Sequence, residues 1–442
     1  RSHFGSRPLG PGASPPAPSS SPLSAGISSG VPAMGERMEL ECTMDEQDVV
    51  VLDNGSGFLK VGFSGEDVPR AVRPTVITTA TTTVDEAKEE EHPVSVDSTA
   101  PKKPQCFYGE EALRQAMRAN ASVTWPVRRG EIQYMSSNDK EALEGLWEDT
   151  FRNVLGIEQE ELPVLIADAL PLGQAAYPSR QWVAEVMFEK LKVKSLAIFN
   201  SAVLSLFSTG RTRGLVVESG EGLTQAVPVF EGYAIPHAIF KMEVAGQDIT
   251  ARVQKMMQHE EGSEHADNLS VMQALKEKVC TVAMDHRMAM KGPDHADEEA
   301  KSFELPDGKI IQVSQQIRTG TPEVLFGDGD QGRPSVQKIC MEAINTCDLD
   351  FRQDLVRSLV VAGGTSMLPG LAPRLRSELS SLLPLELSRQ VDVCVDSQRR
   401  YAAWIGGSMF ASLSTFDQVA ITKQEYEEGK SDVRSLVARK TF

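Results

Sequence analysis

No stretch of the 442-residue sequence approaches the run of about 20 apolar residues that a membrane-spanning helix needs. The N-terminus shows no charged region followed by an apolar one, so neither membrane insertion nor secretion is expected. Positive charge is also short. Lys and Arg number 45 against 62 Asp and Glu, a formal net charge of −17, which argues against broad binding to a nucleic-acid backbone, where cations must displace counterions. The expected partners are proteins and a small charged ligand. The six cysteines, at 42, 106, 280, 340, 347 and 394, form no CxxC pair and no dense framework; they read as reduced thiols in an intracellular protein, mostly buried as small apolar side chains. Forty per cent hydrophobic residues is ordinary for a folded chain, and the length suffices for two to four domains.

The exception to folding is residues 1–47, rich in Ser, Pro, Gly and Ala (GPGASPPAPSSSPLSAG), which cannot bury enough apolar surface to offset their ordering entropy. They are expected to be a disordered extension, read first as an inert tail and second as a docking segment. At Val49 the texture changes to VVVLDNGSGFLKVGF: an apolar run, a polar glycine turn and a second run, the pattern of a β-hairpin. The same grammar returns in GLVVESGEGLTQAVPVF from Gly214, so that Glu218 follows Asp53 by 165 residues, a spacing that suits two whole lobes. Between the hairpins, Leu143, Leu146, Trp147, Phe151, Val154 and Leu155 recur at helical steps, and a short apolar run at 164–167 precedes a second helical pattern through Val183, Val186, Met187 and Leu191. That alternation predicts α/β lobes with helices covering a mixed sheet. The threonine-rich and then acidic stretch from about Thr75 to Gln105 reads as an exposed loop, a solvated surface before a docking site for a basic partner.

A glycine-rich hairpin turn can present successive backbone N–H groups to an anion, and DNGSG and ESGEG both fit. One such turn on each lobe can grip a polyphosphate from two sides, with Ser56 adding a hydroxyl and Lys60 a positive charge. Each turn also opens with an acid, Asp53 and Glu218, and Mg²⁺ beside phosphates is anchored through one or two carboxylates. A lone DxGxG occurs in many plain hairpins; the pair at lobe spacing is the stronger signal. A third turn, VVAGGTSMLPG over 360–370, runs from a short strand into a helical pattern and allows close approach of a flat base at Gly363 and Gly364, beside Met367 and Leu368.

These three turns in this order resemble the actin fold, and AVLSLFSTGRTRGLVV, FEGYAIPHAI, AGQDIT, FELPDGK and YAAWIGGSMFASLSTFDQVAITKQEYEE narrow the resemblance to the actin family, from about Val49 to Phe442. It is weakest in the acidic loop and around 255–300 and 325–345. The resemblance implies a two-lobed α/β fold with duplicated mixed-sheet domains around a cleft: a first lobe over 48–208 with an exposed acidic loop at about 75–124, a second over 209–401, and a segment, 402–442, that returns to the first. It implies ATP or ADP with Mg²⁺ between the lobes. Asp53, Gly55, Ser56, Gly57 and Lys60 match the first phosphate loop, and Glu218, Gly220, Glu221 and Gly222 the second; Asp53 and Glu218 would hold the metal through water. Gly246, Lys276, Glu277, Gly363, Gly364, Thr365 and Met367 match positions around ribose and adenine, and Arg400 stands where the family usually has Lys.

Departures from the family pattern bear on mechanism. Glu218 and Glu221 replace aspartates, lengthening each acid in a site where about 1 Å of misplacement can cost on the order of 100-fold in rate. Ser201 stands where actin has the glutamine that orders the attacking water, and Gln225 where it has a histidine of the same network. Binding with slow or absent hydrolysis is therefore expected. Gln247 and Leu368 replace an Arg and a Tyr near sugar and base, Arg129 replaces the histidine that actin methylates, and GDGDQGRPSV is polar where actin carries an apolar plug. Phe207, Gly210, Thr212, Phe410, Leu413 and Val419 match the groove where actin-binding proteins insert an amphipathic helix, with core packing as the plainer reading of Phe410 and Leu413. The leading expectation is a cytoskeletal, cytoplasmic actin-like protein that assembles into short or unstable filaments; the alternative is a catalytically quiet subunit of a larger complex, with the nucleus left open. A small-molecule kinase on the same fold would need a catalytic base facing a substrate pocket and is disfavoured.

Overall fold

A computed structural model describes residues 48–80, 105–116, 121–157, 162–169, 177–289, 301–327 and 334–440. The chain divides into a unit over Arg1–Met44 and a unit over Asp45–Phe442, and the described residues belong to the second. The expected disordered extension, the acidic core of the 75–105 stretch and most of the polar plug segment lie outside them.

Two mixed sheets repeat one plan. In the first, Val50–Asn54 lies antiparallel to Phe58–Phe63 and parallel to Val164–Asp168, which runs parallel to Ser195–Asn200; Ala71–Pro74 and Ile421–Thr422 close the edges. In the second, Gly214–Ser219 lies antiparallel to Thr224–Phe230 and parallel to Leu359–Ala362, which runs parallel to Val393–Cys394; Phe240–Met242 takes the place of Ala71–Pro74. The central strands VVLDN, VLIAD, SLAIFN and LVVA are buried at every position, as expected of parallel strands covered on both faces. These are the duplicated mixed sheets and α/β class that the sequence predicts.

Helices cover these sheets. Ser137–Asp149 buries Leu143, Leu146 and Trp147 and passes into a wider-wound turn, Thr150–Leu155, that ends at Gly156 in the left-handed region. Tyr177–Glu185 and its continuation Val186–Lys190 bury Val183, Val186 and Met187. The apolar patterns of both segments thus face the first core, except at Val154, which is exposed at the end of the wider-wound turn. Residues 402–440 also pack on the first sheet: Trp404, fully buried, donates from Nε1 to the Val51 carbonyl at 3.0 Å, and Ile421–Thr422 pairs with Ser195–Leu196. One correction concerns the start of the expected exposed loop. Thr75, Val76, Ile77 and Thr78 are buried, because Ile77–Ala80 is the central strand of a three-stranded sheet and the Thr78 hydroxyl donates to the Ala112 carbonyl at 2.7 Å. The β-branched residues there fill a sheet, where the sequence pattern suggested solvent.

Candidate functional site

The duplicated hairpins place two acids in equivalent positions. Asp53 pairs with Lys60 across its hairpin and with Ala167 on the parallel side; Glu218 pairs with Gln225 and Ala362 in the same relations. In each lobe the hairpin partner bonds the acid. Lys60 Nζ reaches Asp53 Oδ2 at 2.6 Å, and Gln225 Nε2 donates to Glu218 Oε2 at 2.8 Å. Glu218 Oε2 accepts a second hydrogen bond, from Ser201 Oγ at 2.7 Å. A cation therefore balances the first acid, and only neutral donors meet the second. Burial pushes the Glu218 carboxyl up from its ordinary value; Asp53 adds to this, while Ser201, Gln225 and Lys60 oppose it. Glu218 still keeps part of its surface on the cleft.

The turns beyond these acids meet face to face. A methyl group placed on Gly57 would lie 2.9 Å from Glu221 Cβ, and one on Gly222 would lie 2.7 Å from Ser56 Oγ, so each turn needs glycine for the other to approach. Ser56 Oγ accepts from Gly130 N at 2.8 Å, which leaves its own hydrogen to donate. The third turn joins them through Thr365 Oγ1, which donates to the Gly220 carbonyl at 2.7 Å, and Gly363 adopts φ 90° with the Ser219 backbone close behind it. Lys276 Nζ bonds Glu221 Oε2 at 3.2 Å and the Gly246 carbonyl at 3.1 Å.

A cavity of about 520 Å³ lies between the turns, within the roughly 300–1,000 Å³ usual for small-ligand sites. Asp53, Gly55, Ser56, Gly57, Lys60, Ser201, Glu218, Gly220, Glu221, Gly222, Gln225, Lys276, Glu277, Gly363, Gly364, Thr365, Met367 and Arg400 all line it. Gly246 does not. It packs behind Glu221 and Thr365, where any side chain would strike both, and its part is to hold Lys276. Asn54, Gln273, Leu368, Arg399 and Tyr401 also line the cavity; of these Asn54, Leu368 and Tyr401 fall within motifs read from the sequence, whereas Gln273 and Arg399 carried no sequence signal.

The cavity suits a nucleotide on structural grounds. Asn54 Nδ2 and Gln225 Oε1 are buried polar atoms without a partner, both on residues of the wall, and a bound ligand or its waters would satisfy them. Glycine turns and Lys60 suit phosphates, the two carboxylates are hard oxygen donors that suit Mg²⁺, and Leu368, Met367 and Tyr401 offer apolar surface to a base. Ser201 and Gln225, the residues the sequence leads one to expect at altered water-positioning sites, both turn a hydrogen onto Glu218.

A cross-lobe clamp escaped the sequence reading. Arg129, at φ 51°, makes two bonds to Asp248, at 2.6 and 2.9 Å, and a third to the Glu243 carbonyl at 2.8 Å. The Asp248 carboxylate holds the guanidinium pKa above its ordinary value. Gln247 fits against the same guanidinium with its amide oxygen inward. Lys241 and Glu131 make a second cross-lobe pair at 2.8 Å. Nothing local in WPVRRG signals this, because the acceptors lie 114 to 119 residues away.

Away from the cleft, Phe207 and Phe410 meet edge to face at 5.9 Å, and Phe410 packs on Phe199 at 4.5 Å. Phe410 and Val419 are half-buried against the first-lobe core, whereas Leu413 is 44% exposed and so is not a core residue. Gly210, at φ 71°, and Thr212 are exposed on the link between the lobes. Among the described residues no helix is long and apolar enough to cross a membrane. A family model described as Actin matches residues 44–442 of the chain.

Proposed function

The chain belongs to the actin family, and from that premise we propose that it is a divergent actin-like protein that binds ATP or ADP with Mg²⁺ in this cleft, hydrolyses ATP slowly or not at all, and acts in the cytoskeleton, assembling into short or unstable filaments. The observation that carries the binding reading is the convergence of three glycine turns and one carboxylate from each lobe on a single cavity.

In this reading Ser56, Lys60 and the backbone of the two hairpin turns hold the phosphates. Asp53 and Glu218 hold the metal through water, and Glu277 faces the ribose. Met367, Leu368, Tyr401 and Arg400 enclose the base. Bound Mg²⁺ would neutralise phosphate charge. Lys276 keeps Glu221 turned along the second loop, and Thr365 ties the base-side turn to that loop, so the walls stay in register. Slow hydrolysis follows from Ser201 and Gln225. Ser201 has one hydroxyl hydrogen, and it is committed to Glu218; the longer glutamate also fills space that a shorter acid would leave to water.

The same observation favours the second reading, a quiet subunit that uses the nucleotide as a staple within a larger complex. Sedimentation of the full chain in Mg-ATP over a concentration series, with phosphate release followed in parallel, separates the two. A pellet above a critical concentration supports the cytoskeletal reading, and protein remaining in the supernatant far above the range where actin assembles replaces it with the adaptor. Phosphate release at the rate of ordinary actin would overturn slow hydrolysis.

A further inference from the structure

Among the described residues four arginines are buried, and three of them meet a carboxylate. Arg73 reaches Asp149 at 2.6 Å, Arg180 reaches Asp168 at 2.8 Å, and Arg374 reaches Glu378 at 2.7 Å and Glu323 at 2.9 Å. Arg318 has no such partner. It is 4% exposed, its Nε is sealed without an acceptor, and no hydrogen bond or ion pair from the described residues reaches its guanidinium. Glu323, the nearest acid in the chain, is committed to Arg374. A guanidinium cannot shed its proton to escape burial, as a lysine or histidine can, and a buried charge without a counter-charge is strongly unfavourable.

The corner around Arg318 offers room and a second donor. Arg318 lies on the short helix Gln315–Gly320, tied to the neighbouring chain where Thr281 N donates to the Arg318 carbonyl at 2.9 Å. Gly320, on the same helix, is buried, yet a methyl group placed on it would find only His286 Cε1, at 3.9 Å, beyond its own stretch of chain. His286 Nδ1 is itself a sealed nitrogen without a partner. Burial pushes the Cys280 thiol up from its ordinary value, while a hydrogen bond with Thr321 and the charges of Lys276 and Arg318 oppose the rise. Of those two cations, Lys276 is balanced by Glu221 at 3.2 Å and Arg318 by no described group. We propose that this corner of the fold binds a small monovalent anion, chloride, with Arg318 supplying the charge and His286 donating from Nδ1–H. One negative charge balances the guanidinium, whereas a dianion would leave the buried site negative. An exposure of 4% leaves no face for the surface of a partner protein. The site is separate from the cleft cavity, whose lining includes neither Arg318 nor His286.

The test follows thermal melting of the full chain at constant ionic strength, with chloride replacing the bulky anion gluconate. The parent should gain about 2 °C for each tenfold rise in chloride above the dissociation constant. Arg318→Lys should keep a response, and Arg318→Met should lose it. Without chloride, Arg318→Met should melt at or above the parent, because it no longer buries an unbalanced charge. Crystals grown with bromide should show its anomalous signal within hydrogen-bond reach of Arg318. Equal chloride responses in the parent and in Arg318→Met overturn the proposal. So does bromide at the outer surface alone, an adventitious ion only. A parent that melts well above Arg318→Met without chloride overturns it as well, since Arg318 would then have its counter-charge within the chain.

Discussion

Replacing Arg129 by alanine removes the side chain that clamps the lobes and keeps the Cβ at this left-handed position, so backbone strain is unchanged between the two proteins. The guanidinium makes two charge-assisted bonds to Asp248 and one to the Glu243 carbonyl. Hydrogen bonds to charged groups contribute about 1.5–3 kcal/mol when buried, but the Arg129 and Asp248 side chains are 32% and 25% exposed, so solvent screening reduces the set to about 2 kcal/mol in total. Asp248 is not stranded by the change. It still accepts from Ala245 N at 2.9 Å and sits in the first turn of the helix Gly246–Met257, where negative charge is favoured. The clamp exists only with the lobes together, so its loss shifts the equilibrium toward opening by about 30-fold, at about 1.4 kcal/mol per tenfold. Release of a fluorescent ATP analogue, chased with excess ATP, should accelerate at least about tenfold in Arg129→Ala. Arg129→Lys should fall between, because an ammonium keeps the charge but not the paired geometry. A double variant, Arg129→Ala with Asp248→Asn, should release no faster than the single one. Release within twofold of the parent, with the melting temperature unchanged, would refute the clamp.

Three further outcomes follow from the same contacts. Glu218 has a folded pKa raised above its ordinary 4.5, so its contribution to stability is complete below that value and is lost as pH rises through the folded pKa; Glu218→Gln should gain on the parent in melting temperature across that interval, and parallel curves would contradict this. Glu425 behaves oppositely. Lys440 and the Thr422 backbone lower its pKa from 4.5, so its contribution is present above that value and fades as pH falls through the lowered one, and Glu425→Gln should flatten the acid side of the stability profile by less than about 1 kcal/mol, the side chain being 39% exposed. Trp404→Ala should cost about 3–5 kcal/mol in urea unfolding, for a fully buried indole that also bonds the Val51 carbonyl; a loss under about 1 kcal/mol would mean that the 402–440 segment does not anchor the first sheet.

The cleft was legible where its chemistry is local. Asp53, Gly55, Ser56, Gly57 and Lys60 fall within eight residues, and an apolar run, an acid, a glycine turn and a second run specify a strand, a bend and a return whatever surrounds them. The repeat at Glu218 and the turn at Gly363 read the same way, as did the helices whose apolar residues recur at three and four. Gly246 shows the limit of matching by motif: it matches a family position around ribose and adenine, yet it stands behind the wall, where its carbonyl holds Lys276.

What the sequence determined by itself is therefore the set of short-range devices: which runs become strands, where glycine lets backbone approach an anion, and that two lobes share one design. What only the tertiary structure decided is which side chains spend their hydrogens on one another. Ser201 and Gln225 reach Glu218 because a strand end, a helix start and a hairpin meet at one point. Arg129 finds Asp248 across 119 residues of chain because the lobes close. Thr75–Thr78 is buried, and Ile77–Ala80 sits inside a sheet because two other segments pair with it. Each of these depends on a distance in space between residues far apart in the chain, and hydrophobic periodicity carries no record of such distances.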